Sequence, residues 1–462
     1  IDSQVQTNHK HTAQLLVQTH SMERLANYDI LTGLPNRMFF MDLLKLELAS
    51  SKSNDRDVAI MFFDVDSFKG VNDTLGHETG DMLLQAVAKK VKSYLRSNDI
   101  IARLGGDEFL IMLPNITEQS IVIDIAESII EGMKEPFTIN EWDVPAGISI
   151  GIASAKEAEF DINTFISNAD IAMYTSKEKG KGAYTIFHHK MLEDNKRKAQ
   201  VANLISHAIA QNEFELFYQL KMSNTGEAQG LEALIRWQSK ELGFVSPGEF
   251  IPIAEQAGKI KAITQWVITQ VFKDVQMLKQ LMGNNVLVSM NLSSHDLKDH
   301  NFIHTVKSKL LEHSVDISNV QFEITESSYL ENFENANQFF NQVKVMGGSI
   351  ALDDFGTGYS SLSYLTKIEI DTLKIDRMFV NQYASSAKDT AVLQAILDLG
   401  QRLGLKICSE GIETTDQANY LVSNGSDEMQ GYYFAKPVCI AQLPHAIERA
   451  KILFKELTIT SK

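Results

Sequence analysis

Cysteine, proline and long apolar runs are all scarce in this chain, which holds 2 Cys and 8 Pro among 462 residues. Two cysteines, Cys408 and Cys439, are too few for a disulfide framework, so a reducing cytoplasm is the expected compartment. No apolar run approaches the ~18 residues of a membrane-spanning helix, and no signal-peptide pattern is present. Because the chain starts at Ile1 rather than Met, we expect a missing upstream region, through which any membrane attachment would come.

Positively charged residues are also few, since the chain has 43 Lys and Arg against 59 Asp and Glu and its formal net charge is −16. This balance argues against a nucleic acid polymer as partner, because polymer binding depends on a positive field. A small phosphate ligand would need local cations or bound metal. The remaining composition, with 44% hydrophobic and 22% charged residues, is ordinary for a soluble protein, and the length predicts two or three domains.

Sequence patterns divide the chain into four segments. Residues 1–25 are polar and lack Gly and Pro, which fits either the end of a parallel dimer stalk or a frayed polar helix. Residues 26–188 alternate between helical and strand patterns, and a charged helical linker is expected at 189–200. From 201 to 456, strands and helices alternate with the period of βα units, which predicts a TIM-like (β/α)₈ barrel.

The segment 26–188 contains strong local signals. Residues 58–64 (VAIMFFD) predict a buried strand, and residues 81–95 predict a helix from their apolar spacing. Residues 100–104 and 109–113 predict a hairpin that turns at Gly105-Gly106. The expected fold is a central antiparallel sheet with flanking helices.

Acidic side chains converge at one edge of that predicted sheet. Asp64 ends the buried strand, and Asp107 and Glu108 lie on the adjacent hairpin turn, so hard oxygen ligands for Mg²⁺ and a triphosphate come together. The two glycines let backbone approach a ligand closely. An ordinary hairpin turn is the alternative for this motif taken alone. Further polar candidates are Asn72 and Asp81 for a guanine edge and Lys177 and Lys181 for phosphates.

The predicted barrel carries polar residues at the ends of its strands, where barrel chemistry is located. The candidate strands are 215–219, 231–235, 286–291, 320–325, 349–353, 371–375, 406–410 and 428–433. The polar residues are Gln219, Glu232, Asn291, Glu323, Asp353, Asp354, Lys374, Glu410 and Gln430. Any one of them is ordinarily structural, but burying so many carboxylates without partners is costly. Two metal ions about 3.5–4 Å apart would solve this problem and could cleave a phosphodiester, with Lys374 positioning water or offsetting phosphate charge.

The first segment resembles the GGDEF family of diguanylate cyclases through 103–109 (RLGGDEF) and 29–37 (DILTGLPNR). The resemblance implies a cyclase-like α/β fold in which a homodimer condenses two GTP into cyclic di-GMP. It implies that Mg²⁺ with GTP is held by Asp64, Asp107, Glu108 and the Val65 carbonyl, with Asp107 and Glu108 catalytic. Guanine would be held by Asn72 and Asp81, phosphates would lie near Lys69, Lys177 and Lys181, and Arg96 with Asp99 would form an inhibitory product site. A surface ion pair is the alternative for Arg96 and Asp99.

The second segment resembles the EAL family of cyclic di-GMP phosphodiesterases over nearly all of 200–450. The resemblance rests on motifs such as 232–234 (EAL) and 353–358 (DDFGTG). It implies Mg²⁺- or Mn²⁺-dependent cleavage of cyclic di-GMP to pGpG, with two metal ions held by Glu232, Asn291, Glu323, Asp353, Asp354 and Glu410. Glu232 and Lys374 would be catalytic, Gln219, Arg236 and Gln430 would contact substrate, and Glu413 would brace the loop 355–361.

Three functional hypotheses follow. A bifunctional enzyme would both make and cleave cyclic di-GMP, with hydrolysis expected to dominate because each barrel contains a whole site whereas synthesis needs two GTP-loaded domains face to face. In the second hypothesis the GGDEF domain only binds GTP and regulates the phosphodiesterase. In the third the chain is an inactive receptor, which fits poorly because none of the catalytic acids is missing.

Overall fold

The computed structural model describes residues 25–356, 364–365 and 367–457, so the predicted N-terminal stalk lies almost wholly outside the described residues. The chain separates into two compact units, with the division between Arg197 and Lys198. None of the helices in the described part is long and apolar enough to cross a membrane.

The first unit is built on a five-stranded sheet with the order β2-β3-β1-β6-β7. These strands and a small separate hairpin, β4-β5, are β1 Asp57–Val65, β2 Ile100–Gly105, β3 Glu108–Ile116, β4 Phe137–Ile139, β5 Trp142–Val144, β6 Ile148–Ser154 and β7 Tyr184–Ile186. Pairing is antiparallel as predicted except at the edge, where β6 and β7 run parallel.

Helices cover both faces of this sheet. They are α1 Arg37–Ser53, α2 Phe68–Leu75, α3 His77–Ser93, α4 Gln119–Met133 and α5 Ile162–Glu178. Alternate residues of β1 enter two separate cores, one containing Met61 and Phe63 and the other Ile60 and Phe62. Because a strand sends successive side chains to opposite faces, the uniformly apolar sequence of β1 matches a central strand covered on both sides.

The second unit is a closed barrel of eight strands, with a short outer strand, β10, added to β9. The strands are β8 Phe214–Ser223, β9 Ala228–Ser239, β10 Gly243–Val245, β11 Leu287–Leu292, β12 Val320–Thr325, β13 Ser349–Phe355, β14 Thr372–Ile375, β15 Lys406–Ser409 and β16 Glu428–Met429. The outer strand β10 is antiparallel to β9, whereas β9 and β11 through β16 are parallel to one another. The predicted barrel is therefore confirmed.

The first barrel strand differs from expectation in direction. β8 runs antiparallel to both neighbours, β9 and β16, and continues to Ser223 instead of ending near Gln219. Gln219 therefore lies within the strand, opposite Glu232, and not at a carboxyl end. The reason is the short turn after Ser223, since a chain that reverses within a few residues can pair only with an antiparallel neighbour.

The helices of the second unit surround the barrel. They are α7 Pro247–Gln256, α8 Ile260–Met282, α9 Ser294–Leu297, α10 Phe302–His313, α11 Glu326–Glu331, α12 Phe333–Met346, α13 Arg377–Gln382, α14 Ala387–Arg402, α15 Thr415–Ser423 and α16 Leu443–Lys455, and they are preceded by α6 His189–Ala210, which contains the division between the two units. The helix expected at 189–200 continues to Ala210. The last barrel strand stops at Met429 rather than 433. After it the chain passes so close to Ile412 that a Cβ on Gly431 would come 2.1 Å from the Ile412 carbonyl oxygen.

Candidate functional sites

The register between neighbouring barrel strands brings their polar residues to one end of the barrel. Asn291 on β11 is opposite Glu323 on β12, and Asp353 on β13 is opposite Thr325, two residues after Glu323. Parallel strands end at the same edge of a sheet, so side chains from different parts of the sequence meet there. The expected convergence of these residues is what the structure shows.

Lys374 lies at the centre of the acidic group. Its Nζ is 2.5 Å from Glu323 Oε2, 2.6 Å from Glu410 Oε1, 2.9 Å from Asp353 Oδ2 and 3.7 Å from Glu232 Oε2. The side chain is only 1% exposed. Four acidic groups around one buried cation are more than Lys374 alone can neutralise in a region shielded from water.

Amide side chains extend this cluster toward β8. Asn291 Nδ2 donates to Glu232 Oε1 at 2.8 Å, and Gln430 Nε2 donates to Glu232 Oε2 at 2.6 Å and to Gln219 Oε1 at 3.1 Å. Oε1 of Gln430 is buried and accepts no hydrogen bond from any described residue. Unsatisfied buried oxygens are uncommon and point to a ligand or water at the site.

Burial changes the acidity of these groups. Desolvation raises the pKa of Glu410 to about 8, because Lys374, shared with other acids, only partly offsets it. Desolvation likewise raises the pKa of Asp353 to about 6. Glu323 behaves in the opposite way, because Lys221 and Lys374 overcome its desolvation and lower its pKa to about 2.

Asp354 has an unusual backbone next to the cluster. Its φ is +54°, its N–H donates to Asp353 Oδ1 at 2.9 Å, and the pairing of β13 with β14 is irregular here. A left-handed conformation is uncommon for residues other than glycine and often marks a functional site. Desolvation raises the pKa of its carboxyl, and Asp376 adds to this effect.

The donor set suits hard divalent cations, which prefer carboxylate and amide oxygens. No group of three or more His, Cys, Asp or Glu side chains in the described ranges forms a ready-made metal cage, and Lys374 lies among the four acids instead. The chemistry of the donors and the unsatisfied oxygen of Gln430 both fit bound metal, although Lys374 would have to share these acids with it.

The first unit has a more open acidic site. Lys177 on α5 contacts Asp64 Oδ2 at the end of β1. Asp64 Oδ1 is buried and has no hydrogen-bond partner among the described residues, and desolvation raises the pKa of this carboxyl. Asp107 is half-buried and Glu108 exposed. Desolvation raises the pKa of Glu108, and Asp170, Asp107 and Asp64 add to this effect, so the three predicted acids lie close together.

The helices α2 and α3 meet closely at a glycine. A Cβ at Gly80 would lie 2.0 Å from Asn72 Oδ1, so Asn72 occupies the space that a side chain would need. This Oδ1 is buried and unsatisfied among the described residues, whereas Asp81, the next residue on α3, is exposed. An unsatisfied amide oxygen beside an exposed carboxylate could recognise the donors of a purine edge.

Lys177 and Lys181 both lie near the end of β1, beside the acids, and Lys69 is the third lysine predicted for this site. Lys181, in a left-handed conformation with φ +62°, donates to Ser67 Oγ at 3.1 Å, close to Val65 at the end of β1. Lys69 is exposed on α2. Cations and backbone at this edge could therefore meet phosphates near the acids.

Arg96 and Asp99 form a turn at the start of the hairpin. The Arg96 N–H donates to Asp99 Oδ2 at 2.8 Å, and the Arg96 side chain is exposed. Burial raises the pKa of Asp99 despite the nearby Arg96. The two residues therefore lie together at the surface, and in the sequence they precede the acids of the hairpin turn.

Family models match both units. One described as "Diguanylate cyclase, GGDEF domain" matches residues 26–183, and one described as "EAL domain" matches residues 202–437. The chain belongs to the tandem GGDEF–EAL family.

Similar proteins include two curated relatives and a solved structure. MucR of Pseudomonas aeruginosa, a bifunctional diguanylate cyclase/cyclic di-GMP phosphodiesterase, is 35% identical over 91% of the chain and 61% of its own length. The cyclic di-GMP phosphodiesterase PdeR of Escherichia coli is 37% identical over 90% of the chain and 62% of its own length. A solved PaMucR phosphodiesterase complex with c-di-GMP covers 53% of the chain and 99% of its own, at 34% identity and a TM-score of 0.51. The chain spans less than two thirds of both curated relatives.

Two predicted residues of the EAL domain lie outside the hydrogen-bonded cluster. Arg236 donates to the Ile235 carbonyl at 2.9 Å and stacks on Phe217, with 5.5 Å between its Cζ and the ring centroid. Glu413 is exposed, and its N–H donates to Gln417. Most of the loop that Glu413 was expected to brace lies outside the described residues.

Sequence reasoning missed two residues of the EAL site. Glu326 accepts from the Gly356 N–H at 3.0 Å and from the Tyr364 hydroxyl at 2.6 Å, so it links the DDFG sequence at the end of β13 to Tyr364. Lys221 contacts Glu323 from inside the barrel. A signal for Lys221 was present, because it stands two residues after Gln219 and strand periodicity sends both side chains to the same face.

The GGDEF domain contains a further unpredicted link. Arg103 donates to the Gly106 carbonyl through Nε at 3.0 Å and Nη2 at 2.8 Å, and its Nη1 is 3.1 Å from Asp29 Oδ1. Asp29 also accepts from the N–H and hydroxyl of Thr32. The two sequence motifs 29–37 and 103–109 are therefore joined by a single arginine.

Proposed function

We propose that the barrel is a cyclic di-GMP phosphodiesterase that produces pGpG. The observation that carries this proposal is the meeting of Glu232, Glu323, Asp353 and Glu410 around Lys374 at one end of the barrel. Such an excess of buried carboxylate is costly without cations. The names of MucR and PdeR and the c-di-GMP complex of PaMucR agree with this substrate.

The four acids with Asn291 and Asp354 would hold two Mg²⁺ or Mn²⁺ ions. When bound, such ions activate water and stabilise the leaving oxygen of an in-line displacement. Because Asn291 uses its Nδ2 for Glu232, its Oδ1 is available as a ligand. The reaction adds a water oxygen to one phosphorus, breaks one phosphate ester and transfers a proton to the leaving ribose oxygen.

Other side chains would bind and orient the substrate. Lys374 would give up part of its contacts with the acids and turn toward the attacking water or the phosphate, where its charge offsets the negative charge that develops. Gln219 and Gln430 provide amides beside Glu232 for substrate contacts. Arg236, held on Phe217, would contact a phosphate.

For the GGDEF domain we propose binding of Mg²⁺ and GTP, with synthesis of cyclic di-GMP when two such domains meet in a homodimer. The unsatisfied oxygens of Asp64 and Asn72 support a ligand at each end of a nucleotide. Asp107 and Glu108 would complete the metal set, Asp81 would share the guanine, and Lys69, Lys177 and Lys181 would face phosphates. A regulatory site that binds GTP without turnover is the second candidate, since PdeR is named only as a phosphodiesterase.

Hydrolysis is expected to exceed synthesis. The barrel brings all of its polar groups together within one chain, whereas a cyclase must bring two nucleotides together from separate domains. The test is to incubate the purified protein with GTP or with cyclic di-GMP, plus Mn²⁺, and to separate products by chromatography. Cleavage of cyclic di-GMP to pGpG, abolished in Lys374→Ala, is expected. Lasting accumulation of cyclic di-GMP from GTP alone would contradict the proposed balance.

A further inference from the structure

A second lysine lies beneath the acidic cluster of the barrel. Lys221 on β8 is 1% exposed, and its Nζ lies 2.5 Å from Glu323 Oε1 and 2.7 Å from Ser289 Oγ. Gln321 lies nearby, with Oε1 at 3.4 Å from the same nitrogen. The interior below the cluster is therefore polar, although barrel cores are usually filled with branched apolar side chains.

Glu323 is consequently held from two sides. Its Oε1 contacts Lys221 while its Oε2 contacts Lys374, and the carboxyl group is completely buried. The two lysines differ in their surroundings. Lys374 touches four acids at the open end, whereas Lys221 is fixed by Glu323, Ser289 and Gln321, which are themselves linked because Ser289 donates to Gln321 at 2.7 Å. Gln321 in turn donates to Ser349 and Thr372.

We propose that Lys221 is a positioning residue that fixes Glu323 so that only its Oε2 is offered to metal. When Lys374 shares the acids with metal ions, Lys221 keeps Oε1 engaged and prevents the carboxylate from rotating. This inference rests on the proposed phosphodiesterase function. It assigns to Lys221 no contact with substrate or with the reacting atoms.

Two physical effects predict opposite changes in metal affinity when the charge of Lys221 is removed. A cation near a metal site repels divalent ions, so Coulomb's law alone predicts tighter metal binding without Lys221. Groups that orient metal ligands act in the other direction, and losing one typically weakens metal affinity about 10–100-fold. If positioning dominates, Lys221→Met, which keeps most of the length of the side chain but removes its charged amino group, weakens Mn²⁺ binding.

The experiment measures Mn²⁺ binding directly, by electron paramagnetic resonance of the free ion. All chains carry Asp107→Ala, so that the GGDEF domain contributes little. Lys221→Met is expected to bind Mn²⁺ about 10-fold more weakly. The matched control is Lys344→Met, which removes another lysine paired with a carboxylate next to a barrel strand, Asp371 just before β14, and which should keep the parental affinity.

Steady-state kinetics distinguish a positioning role of Lys221 from a general structural defect of the barrel. In Lys221→Met, excess Mn²⁺ should restore much of kcat while the KM for cyclic di-GMP changes little. A general structural defect would lower kcat and raise KM at every Mn²⁺ concentration, and that result, or unchanged or tighter Mn²⁺ binding, would overturn the inference. If the parent chain neither binds Mn²⁺ in the barrel nor cleaves cyclic di-GMP, the proposed function itself fails.

A measurement on the parent chain covers the case in which Lys221→Met does not fold. In a crystal structure with Mn²⁺, Lys221 Nζ should remain within hydrogen-bond distance of Glu323 Oε1, and Glu323 should reach the metal through Oε2 alone. Binding of Mn²⁺ by both oxygens of Glu323 would overturn the inference.

Discussion

The two candidate sites contain similar acids in different surroundings. In the EAL barrel the carboxylates are enclosed by strands and share one buried lysine, whereas in the GGDEF domain Glu108 is exposed and Asp107 half-buried. A closed barrel fixes its ligands by packing on all sides, but a hairpin turn at a sheet edge leaves one face open. The barrel therefore brings its acids together within one chain, while the open face of the GGDEF site would suit the proposed reaction between two nucleotides on separate domains.

The largest expected effect tests whether the barrel acids act as one unit. Glu232→Ala removes the carboxylate that joins Asn291 and Gln430 to the cluster. We expect cyclic di-GMP hydrolysis to fall about 100-fold or more, as when other groups that stabilise transition-state charge are removed. The control is Glu227→Ala, which removes a 64%-exposed carboxylate paired with Lys451 and should leave the rate unchanged. A near-parental rate in Glu232→Ala would refute the assignment.

The second prediction tests whether Asn72 contributes to GTP binding in the GGDEF domain. Gly80→Ala would place a Cβ against Asn72 Oδ1 and displace it. Loss of a buried hydrogen bond to guanine costs about 1–3 kcal/mol, so GTP affinity should fall about 5–150-fold. Isothermal titration with GTP measures this change, and Gly70→Ala on α2, where a Cβ meets open space, is the control. Unchanged GTP affinity in Gly80→Ala would place guanine elsewhere.

The third prediction concerns the pH dependence of Mn²⁺ binding, which should reflect the burial of the barrel carboxyl groups. Because the pKa of Glu410 is raised to about 8 and that of Asp353 to about 6, the metal-free barrel holds a proton on Glu410 near pH 7 and gains a second on Asp353 as the pH falls to 6 and below. Metal must displace them, so Mn²⁺ affinity should increase from pH 6 to 8, by up to about tenfold per pH unit for each proton released. Calorimetry in buffers of different ionisation enthalpy counts these protons. An affinity independent of pH would show that both carboxyls are already ionised.

The smallest expected effect concerns the surface of the GGDEF domain. In a Lys374→Ala background, in which any cyclic product would survive, Arg96→Ala should weaken inhibition of the cyclase by cyclic di-GMP while GTP turnover continues. The expected change is several-fold, because hydrogen bonds to charged groups contribute about 1.5–3 kcal/mol and Arg96 is exposed. Inhibition curves at fixed GTP measure it, with Lys92→Ala, an exposed cation on α3, as control. Equal inhibition of parent and Arg96→Ala would exclude the site.

Local patterns predicted much of the fold and the candidate sites. The apolar run of β1 and the polar residues at the ends of the barrel strands identified the elements and most members of both clusters. The direction of β8 was not predictable in this way, because alternation specifies which face a residue occupies but not which way its partner runs. Glu326 was not predictable in this way either, because its partner Tyr364 is distant in sequence. Strand periodicity places Lys221 on the same face as Gln219, but it does not indicate that Glu323 is its partner.

The antiparallel first strand has a consequence for how the barrel assembles. β8 pairs with β9 along its length from Phe214 to Met222, within a single hairpin, but with β16 its described pairing is confined to Met222 and Ser223. The hairpin closes a short loop at small entropic cost and can form early, whereas the junction with β16 must join ends that are about 200 residues apart and is expected to form last. That junction should also be the first part of the ring to open, so amide hydrogens at Glu428 and Met429 should exchange with solvent faster than those of the hairpin.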